Sequence, residues 1–289
     1  MLTNKLVIGT VQFGLDYGIR NEFGQVSYKE VTKILNLATQ LGINTLDTAQ
    51  VYGNCEKVIG RYLKHNNARF QLISKIDGDN PALVKKTVIA SLKDLNITSI
   101  YGCLVHQFAD YEQFPLIYDV LRSLKTKKKI KKIGFSLYFP DQLERLLEKE
   151  TEIDIIQVPF SIFDRRFEPY FKLLHEKQIE IYVRSVFLQG LFFQQVTNLP
   201  NYFDSVKNKL SKLQALANSN NIPLEAMCLN FVDFQQLIGK IIVGVHTADQ
   251  LKNNIQADRY SQQTSKIFDE LDQFRESNNR ITVPLYWPS

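Results

Sequence analysis

The chain alternates short apolar runs with longer segments in which apolar residues recur every third or fourth position. The short runs predict strands. They are KLVIG at 5–9, INTLD at 43–47, FQLISK at 70–75, IYGCLVH at 100–106, IKKIGFS at 130–136, IDIIQV at 153–158, IEIYVRS at 179–185 and KIIVGV at 240–245. The segments between them predict amphipathic helices. In the first, at 27–42, Ser27 and Glu30 have capping-box spacing, Ile34, Leu35, Ala38 and Leu41 share one face, and Gly42 ends the run. The others fall at 56–64, 81–95 (with Pro81 in its first turn), 112–128, 141–150, 168–177, 202–218 and 248–256. A last helix is expected at 264–276, ahead of the tail ITVPLYWPS.

These are eight strand–helix units with no composition break between them. Strands buried on both faces read as continuous apolar runs, as these mostly do. Repeated units of this kind favour a parallel sheet covered by helices, and eight of them favour closure. The expected fold is therefore an α/β (β/α)8 TIM barrel, one domain over 1–289, with an additional C-terminal helix and tail. The competitor is an open doubly wound sheet, which usually carries a glycine-rich turn after its first strand. The turn here, GTVQFG, lacks that fingerprint.

Composition narrows the class further. With 289 residues and 44% hydrophobic content, the chain can bury a large core. A net charge of +5 is mild, and the one dense basic run, KTKKKIKK at 125–132, suits a helix C-terminus leading into the bottom of a strand. A nucleic-acid surface would need a wider basic face, so no nucleic-acid partner is expected. Cys55, Cys103 and Cys228 are scattered, which argues against a disulfide framework and a structural zinc site. Reduced cytoplasmic thiols are expected. The N-terminal MLTNKLVIGTVQFG lacks a signal-peptide core, and no apolar run approaches the ~18 residues of a membrane span.

In a barrel the C-terminal ends of the strands converge on one mouth. The second strand delivers Asp47 and, in its loop, Tyr52; the third ends at Lys75, and the fourth at His106. Four sequence-distant groups able to move protons or stabilise charge would share one pocket.

With these residues in place, the sequence resembles the aldo-keto reductase superfamily over nearly its whole length. GTVQFG is similar to the family's first-strand motif, and DTAQVYGNCEKVIG to its acid–tyrosine segment. The resemblance implies a catalytic set of Asp47, Tyr52, Lys75 and His106. A free tyrosine is a poor acid near neutrality, with a pKa of about 10; a lysine cation would lower that value, and Asp47 would hold the lysine. Tyr52 would then protonate a carbonyl oxygen as hydride arrives, with His106 orienting the substrate.

The resemblance also implies a nicotinamide cofactor, NADP(H) as the family's common choice with NAD(H) open. Ser136 and Gln157 match the residues that hold the carboxamide, but Leu137 replaces an expected asparagine. RSVFLQGLF resembles the pyrophosphate loop, with Ser185, Leu188 and Gly190 as contacts. Arg184 stands where the family usually has an aromatic that stacks on the nicotinamide. It could lie against that ring, bind an anionic substrate group, or pair with an acid near the barrel top. GVHTADQLKNN resembles the adenosine-phosphate segment, with Gly244, His246, Gln250 and Asn254 as contacts and no strong basic clamp for a 2′-phosphate. Phe13 and Trp287 are candidate substrate contacts, Trp287 by a fold-back of the tail over the mouth.

The implied activity is reduction of a small-molecule aldehyde, ketone or sugar-derived carbonyl. The RSVFLQG and GFSLY variants resemble bacterial members associated with surface-sugar biosynthesis, which points to a sugar or sugar nucleotide. Two competitors are a non-catalytic cofactor-binding regulatory subunit and a phosphate-binding barrel enzyme without nicotinamide.

Overall fold

The computed structural model describes residues 2–19, 21, 24–66 and 68–288. Among them, eight parallel strands close into a barrel in sequence order. They are β1 (Leu6–Gly9), β2 (Thr45–Asp47), β3 (Gln71–Ile76), β4 (Ile100–Val105), β5 (Ile130–Ser136), β6 (Ile155–Pro159), β7 (Glu180–Arg184) and β8 (Lys240–Gly244). Closure is made by β1 against β8, with Leu6 opposite Ile241 and Gly9 opposite Gly244.

Short α1 (Val11–Gly14) follows β1, and the outer ring begins with α2 (Tyr28–Gln40) and α3 (Cys55–Asn66). It continues with α4 (Pro81–Asp94), α5 (Phe108–Gln113), α6 (Leu116–Thr126), α7 (Pro140–Glu148) and α8 (Phe171–Glu176). The C-terminal part supplies α9 (Asp204–Ser219), α10 (Leu224–Asp233), α11 (Ala248–Ile255), α12 (Ser261–Lys266) and α13 (Asn279–Thr282). The caps are those expected from local chemistry. Ser27 accepts from the Glu30 amide, and Asn80 caps α4 ahead of Pro81. The buried faces of the helices meet the outer faces of the strands in one large core.

Several elements differ from the sequence expectation. The helix expected at 112–128 is two, α5 and α6, because Pro115 stands at the N-cap of α6 and cannot continue a preceding helix. The segment expected at 264–276 ends its α-helix at Lys266 and proceeds as a 3-10 turn, Asp269–Phe274. Helix α10 was not foreseen: Ala226, Met227, Cys228, Leu229, Asn230, Phe231 and Val232 are all buried, so it has no polar stripe to set a period. No helix among the described residues is long and apolar enough to cross a membrane.

The basic run finds acidic neighbours. Lys125 pairs with Glu152 at 2.8 Å and Asp154 at 2.5 Å, and Lys132 pairs with Glu180 at 2.6 Å.

Candidate active site

The barrel interior is filled by Val7, Ile73, Leu104, Ile155, Tyr182 and Ile242. A strand returns its side chains to the same face every second residue. One period further toward the C-terminal ends stand Gly9, Lys75, His106, Gln157, Arg184 and Gly244, all of which line a cavity of about 880 Å³. Asp47, Tyr52 and Ser136 line it too.

At the base of the cavity the polar groups form one connected chain. Ser136 Oγ donates to Gln157 Oε1 at 3.5 Å, and Gln157 Nε2 donates to Asp47 Oδ1 at 2.7 Å. The other oxygen of Asp47 accepts from Lys75 Nζ at 2.6 Å. Lys75 also donates to the Thr48 carbonyl at 3.1 Å and to Tyr52 Oη at 3.5 Å. Asp47 and Lys75 are buried, so this is a desolvated pair with its remaining valences satisfied.

The Tyr52 loop is tied to the start of the chain. The amide and hydroxyl of Thr10 both donate to the Asp47 carbonyl, at 3.0 and 2.9 Å. Gly14 lies so close that a methyl group there would meet the Tyr52 carbonyl at 1.8 Å. The His106 ring stands edge-on to Tyr52, with centroids 6.1 Å apart and planes at 82°. Its Nδ1 is 3.1 Å from Asp77 Oδ2. In the tautomer that donates Nδ1–H to Asp77, the other ring nitrogen, Nε2, is an acceptor.

The expectation that Lys75 lowers the Tyr52 pKa is not met. Burial, then the Asp47 carboxylate, holds the phenol well above its ordinary value, while Arg184 acts in the opposite direction. Lys75 is already matched by Asp47 at 2.6 Å, so the pair offers the phenol little net positive charge. Burial also pushes the neighbouring Cys55 thiol up to about 11, leaving it an unreactive thiol.

Arg184 donates to the Leu137 carbonyl at 3.1 Å and to Ser185 Oγ at 3.3 Å, and its guanidinium lies 4.2 Å from the Tyr138 ring centroid. Among the described residues it has no carboxylate within ion-pair distance, so the structural salt bridge considered from the sequence is absent there. The loop beyond it is tightly wound: Ser185, Leu188, Gln189 and Gly190 all have positive φ, from 48° to 89°. Non-glycine residues in that region cost about 1–2 kcal/mol each, a strain that concentrates at ligand-binding loops. Across the cavity, the Ile19 amide donates to the Gln189 carbonyl at 3.2 Å and Gln189 Nε2 to Tyr17 Oη at 2.6 Å. Burial raises the Tyr17 phenol above its ordinary value. At the far end lie His246, Gln250, Asn253 and Asn254.

Three of the expected contacts stand elsewhere. Phe13 is fully buried in the core, and its neighbour Gln12 faces the cavity instead. Leu188 is likewise buried, while Ser185 and Gly190 line the cavity. Trp287 donates to the Ile281 carbonyl at 3.0 Å and stands edge-on to Phe203, with centroids 5.1 Å apart. The tail does reach the mouth, but through Pro284 and Leu285. Sequence reasoning also missed Thr48, Asp77 and Tyr17. Of these only Asp77 carried a signal, two residues beyond Lys75 and so in step with it.

The fold and site together define a barrel enzyme with a buried acid–lysine pair against a tyrosine and a histidine. Residues 5–276 match the model of the Aldo/keto reductase family, and the chain belongs to that family. It is 26% identical over 249 residues to an uncharacterised oxidoreductase of Bacillus subtilis (strain 168), covering 78% of this chain and 80% of that one. It is 27% identical over 262 residues to the NADH-specific methylglyoxal reductase of Escherichia coli (strain K12), covering 76% and 80%. A holo-form aldo-keto reductase from Bacillus halodurans shares the fold with a TM-score of 0.72 at 23% identity, over 91% of both chains. The chain is thus an oxidoreductase of the aldo/keto reductase type.

Proposed function

We propose that this protein reduces the carbonyl of a small aldehyde, ketone or sugar-derived substrate, with Tyr52 as general acid. The observation that carries the reading is the connected set at the cavity base, with Lys75 2.6 Å from Asp47 and 3.5 Å from Tyr52 Oη. The cavity is large enough for an extended dinucleotide, and its lining supplies polar groups at both ends. A bound nicotinamide dinucleotide supplies hydride to the carbonyl carbon. Ser136 and Gln157 would hold its carboxamide, and the wound loop at Ser185 and Gly190 its phosphates. A glycine there permits close backbone approach.

The carbonyl oxygen gains its proton from Tyr52, leaving a phenolate beside Lys75. A phenol held above its ordinary value keeps its proton until negative charge develops on the substrate oxygen. The Lys75 cation then stabilises the phenolate that forms. Tyr52 donates to the substrate oxygen, and the buried setting strengthens that interaction; His106, whose Nδ1 faces Asp77, donates there only with a second proton on Nε2. Gln157 couples the two halves of the site, since its amide touches both Ser136 and Asp47.

The test is dinucleotide oxidation against a panel of carbonyls that includes methylglyoxal, simple aldehydes and ketones, and keto sugars. Tyr52→Phe should retain dinucleotide binding and lose ~10²–10⁴-fold in kcat. Reduction by the wild type should lose its acid only above about pH 10, since the raised phenol stays protonated below it. Dinucleotide binding without turnover of any carbonyl would favour the regulatory-subunit reading. Near-normal kcat in Tyr52→Phe would reject Tyr52 as the acid.

A further inference from the structure

A dinucleotide with its nicotinamide over Ser136 and Gln157 must run past Ser185 and Gly190 to the end of the cavity bounded by β8 and α11. A 2′-phosphate placed there carries −1.5 to −2 charges near neutrality and needs cationic partners. The cavity's lysine and arginine, among the described residues, are Lys75 and Arg184, both at strand ends on the catalytic side. The lining is neutral at Gln250, Asn253 and Asn254 of α11 and acidic at Glu225 of α10, which packs on α11. Lys252 is exposed on α11 and lies outside the lining. His246 does not supply the missing charge, because burial lowers its pKa.

The start of α11 gives a second, independent observation. Free amides at a helix N-terminus are the usual seat for a phosphate. Here the Ala248 amide donates to Glu30 Oε1 at 3.0 Å and the Gln250 amide to Thr247 Oγ1 at 3.1 Å. The amide just before the helix, at His246, donates to Gln250 Oε1 at 2.7 Å. Of these amides, that of Ala248 is held by a carboxylate. Glu30 is kept ionised first by Lys33, whose Nζ is 2.8 Å away, and then by the Ala248 amide. A phosphate brought to this end would meet the Glu225 carboxylate of the lining and a helix start whose Ala248 amide already donates to Glu30. A ribose hydroxyl would meet groups able to accept its hydrogen bond, which is how an acidic residue selects NAD over NADP in another dinucleotide fold.

We propose that this end of the cavity selects a ribose with a free 2′-hydroxyl, so that NAD(H) rather than NADP(H) is the cofactor. This rests on the nicotinamide-binding reading above and replaces the NADP(H) expectation drawn from the resemblance. Glu225 and Glu30 are the residues that determine the choice, Glu225 from the lining and Glu30 by occupying the amide that a phosphate would use.

The experiment is calorimetric titration of the full-length protein with NADH and NADPH, repeated with ADP-ribose and its 2′-phosphate. NADH should bind at least about tenfold more tightly, a difference of about 1.4 kcal/mol. The ADP-ribose pair should show the same preference, because the discrimination lies at the adenosine end. Glu225→Gln and Glu30→Gln should each narrow the gap, and the glutamine at 30 can still accept from the Ala248 amide. Equal or tighter NADPH binding overturns the proposal, as does a preference that disappears with ADP-ribose. A gap unchanged in both variants overturns the assignment to these carboxylates. If neither dinucleotide binds, the nicotinamide reading itself fails and the proposal fails with it.

Discussion

Lys75 and Asp47 are 1% and 6% exposed at their side chains, and each is the other's charge partner. Removing one member of a buried pair leaves an uncompensated charge, at a typical cost of about 3–5 kcal/mol. Lys75→Met should therefore lower Tm sharply as well as abolish turnover. The double variant Asp47→Asn, Lys75→Met should recover much of the stability and none of the activity. Thermal melts beside single-turnover assays separate the two effects. A double variant no more stable than Lys75→Met would show that the pair does not act as a unit. Arg184 poses a finer question. Its guanidinium is bonded to the carbonyl of Leu137, next to Ser136, and so stands on the side of the cavity proposed above for the carboxamide. A fixed cation there disfavours the oxidised, positively charged nicotinamide relative to the reduced, neutral one. Arg184→Trp should then raise affinity for oxidised relative to reduced cofactor by up to about tenfold, or about 1.4 kcal/mol. A higher KM with an unchanged ratio would instead move Arg184 to the substrate. Asp47, Lys75 and Arg184 were legible in the sequence because they stand at the ends of apolar runs. What was not legible was that Asp47 neutralises Lys75 so closely that burial governs Tyr52, a matter of distance that spacing along the chain does not encode.

At the scale of elements, the strands were readable because burial on both faces leaves uninterrupted apolar runs, and their order followed from the alternation alone. The helices were readable where one face is wet. Helix α10 escaped because it is buried nearly all round, and the break between α5 and α6 escaped because the apolar period carries on across Pro115. The expectation for Phe13 failed for a related reason. Helix α1 is one turn long, so a shift of a single residue decides whether Gln12 or Phe13 faces the cavity. That short helix also packs against the loop that carries Tyr52. The contact is made by Gly14, where a Cβ would lie 1.8 Å from the Tyr52 carbonyl and 2.7 Å from the Cys55 amide. Both contacts are backbone, so a side-chain rotation cannot relieve them. Gly14→Ala should cost about 1–3 kcal/mol by overpacking. It should also reduce kcat by up to ~10²-fold through displacement of the phenol, with a smaller effect on dinucleotide affinity. Melting curves and steady-state kinetics on the same preparation check this. A destabilised variant with normal kcat would mean that α1 does not position Tyr52.

Across the whole molecule, barrel closure gathers groups far apart in the chain around one mouth, and the last of them comes from the C-terminal tail. Leu285 is 60% exposed and lines the cavity, yet the tail around it is well held. The single Tyr202 hydroxyl proton is shared between the Tyr286 carbonyl at 2.7 Å and the Arg280 carbonyl at 2.8 Å. Trp287 anchors the end through the Ile281 carbonyl and the face of Phe203. The arrangement separates two roles that the sequence expectation had merged in Trp287. Leu285 lines the mouth, and Trp287 anchors the tail in which Leu285 stands. Leu285→Ala should raise KM for carbonyl substrates several-fold with Tm nearly unchanged, because an exposed side chain contributes little to folding. Trp287→Ala should lower Tm, since a half-buried aromatic is lost, and should raise KM as well because the tail is released. Trp287 is the single tryptophan of the chain, so its emission reports the docking of the tail without any added label. Emission should hold steady in Leu285→Ala and shift to a solvent-exposed spectrum in Tyr202→Phe, which removes the shared hydroxyl proton. If Leu285→Ala leaves KM unchanged while Trp287→Ala raises it, the tail acts on the barrel wall rather than on the mouth.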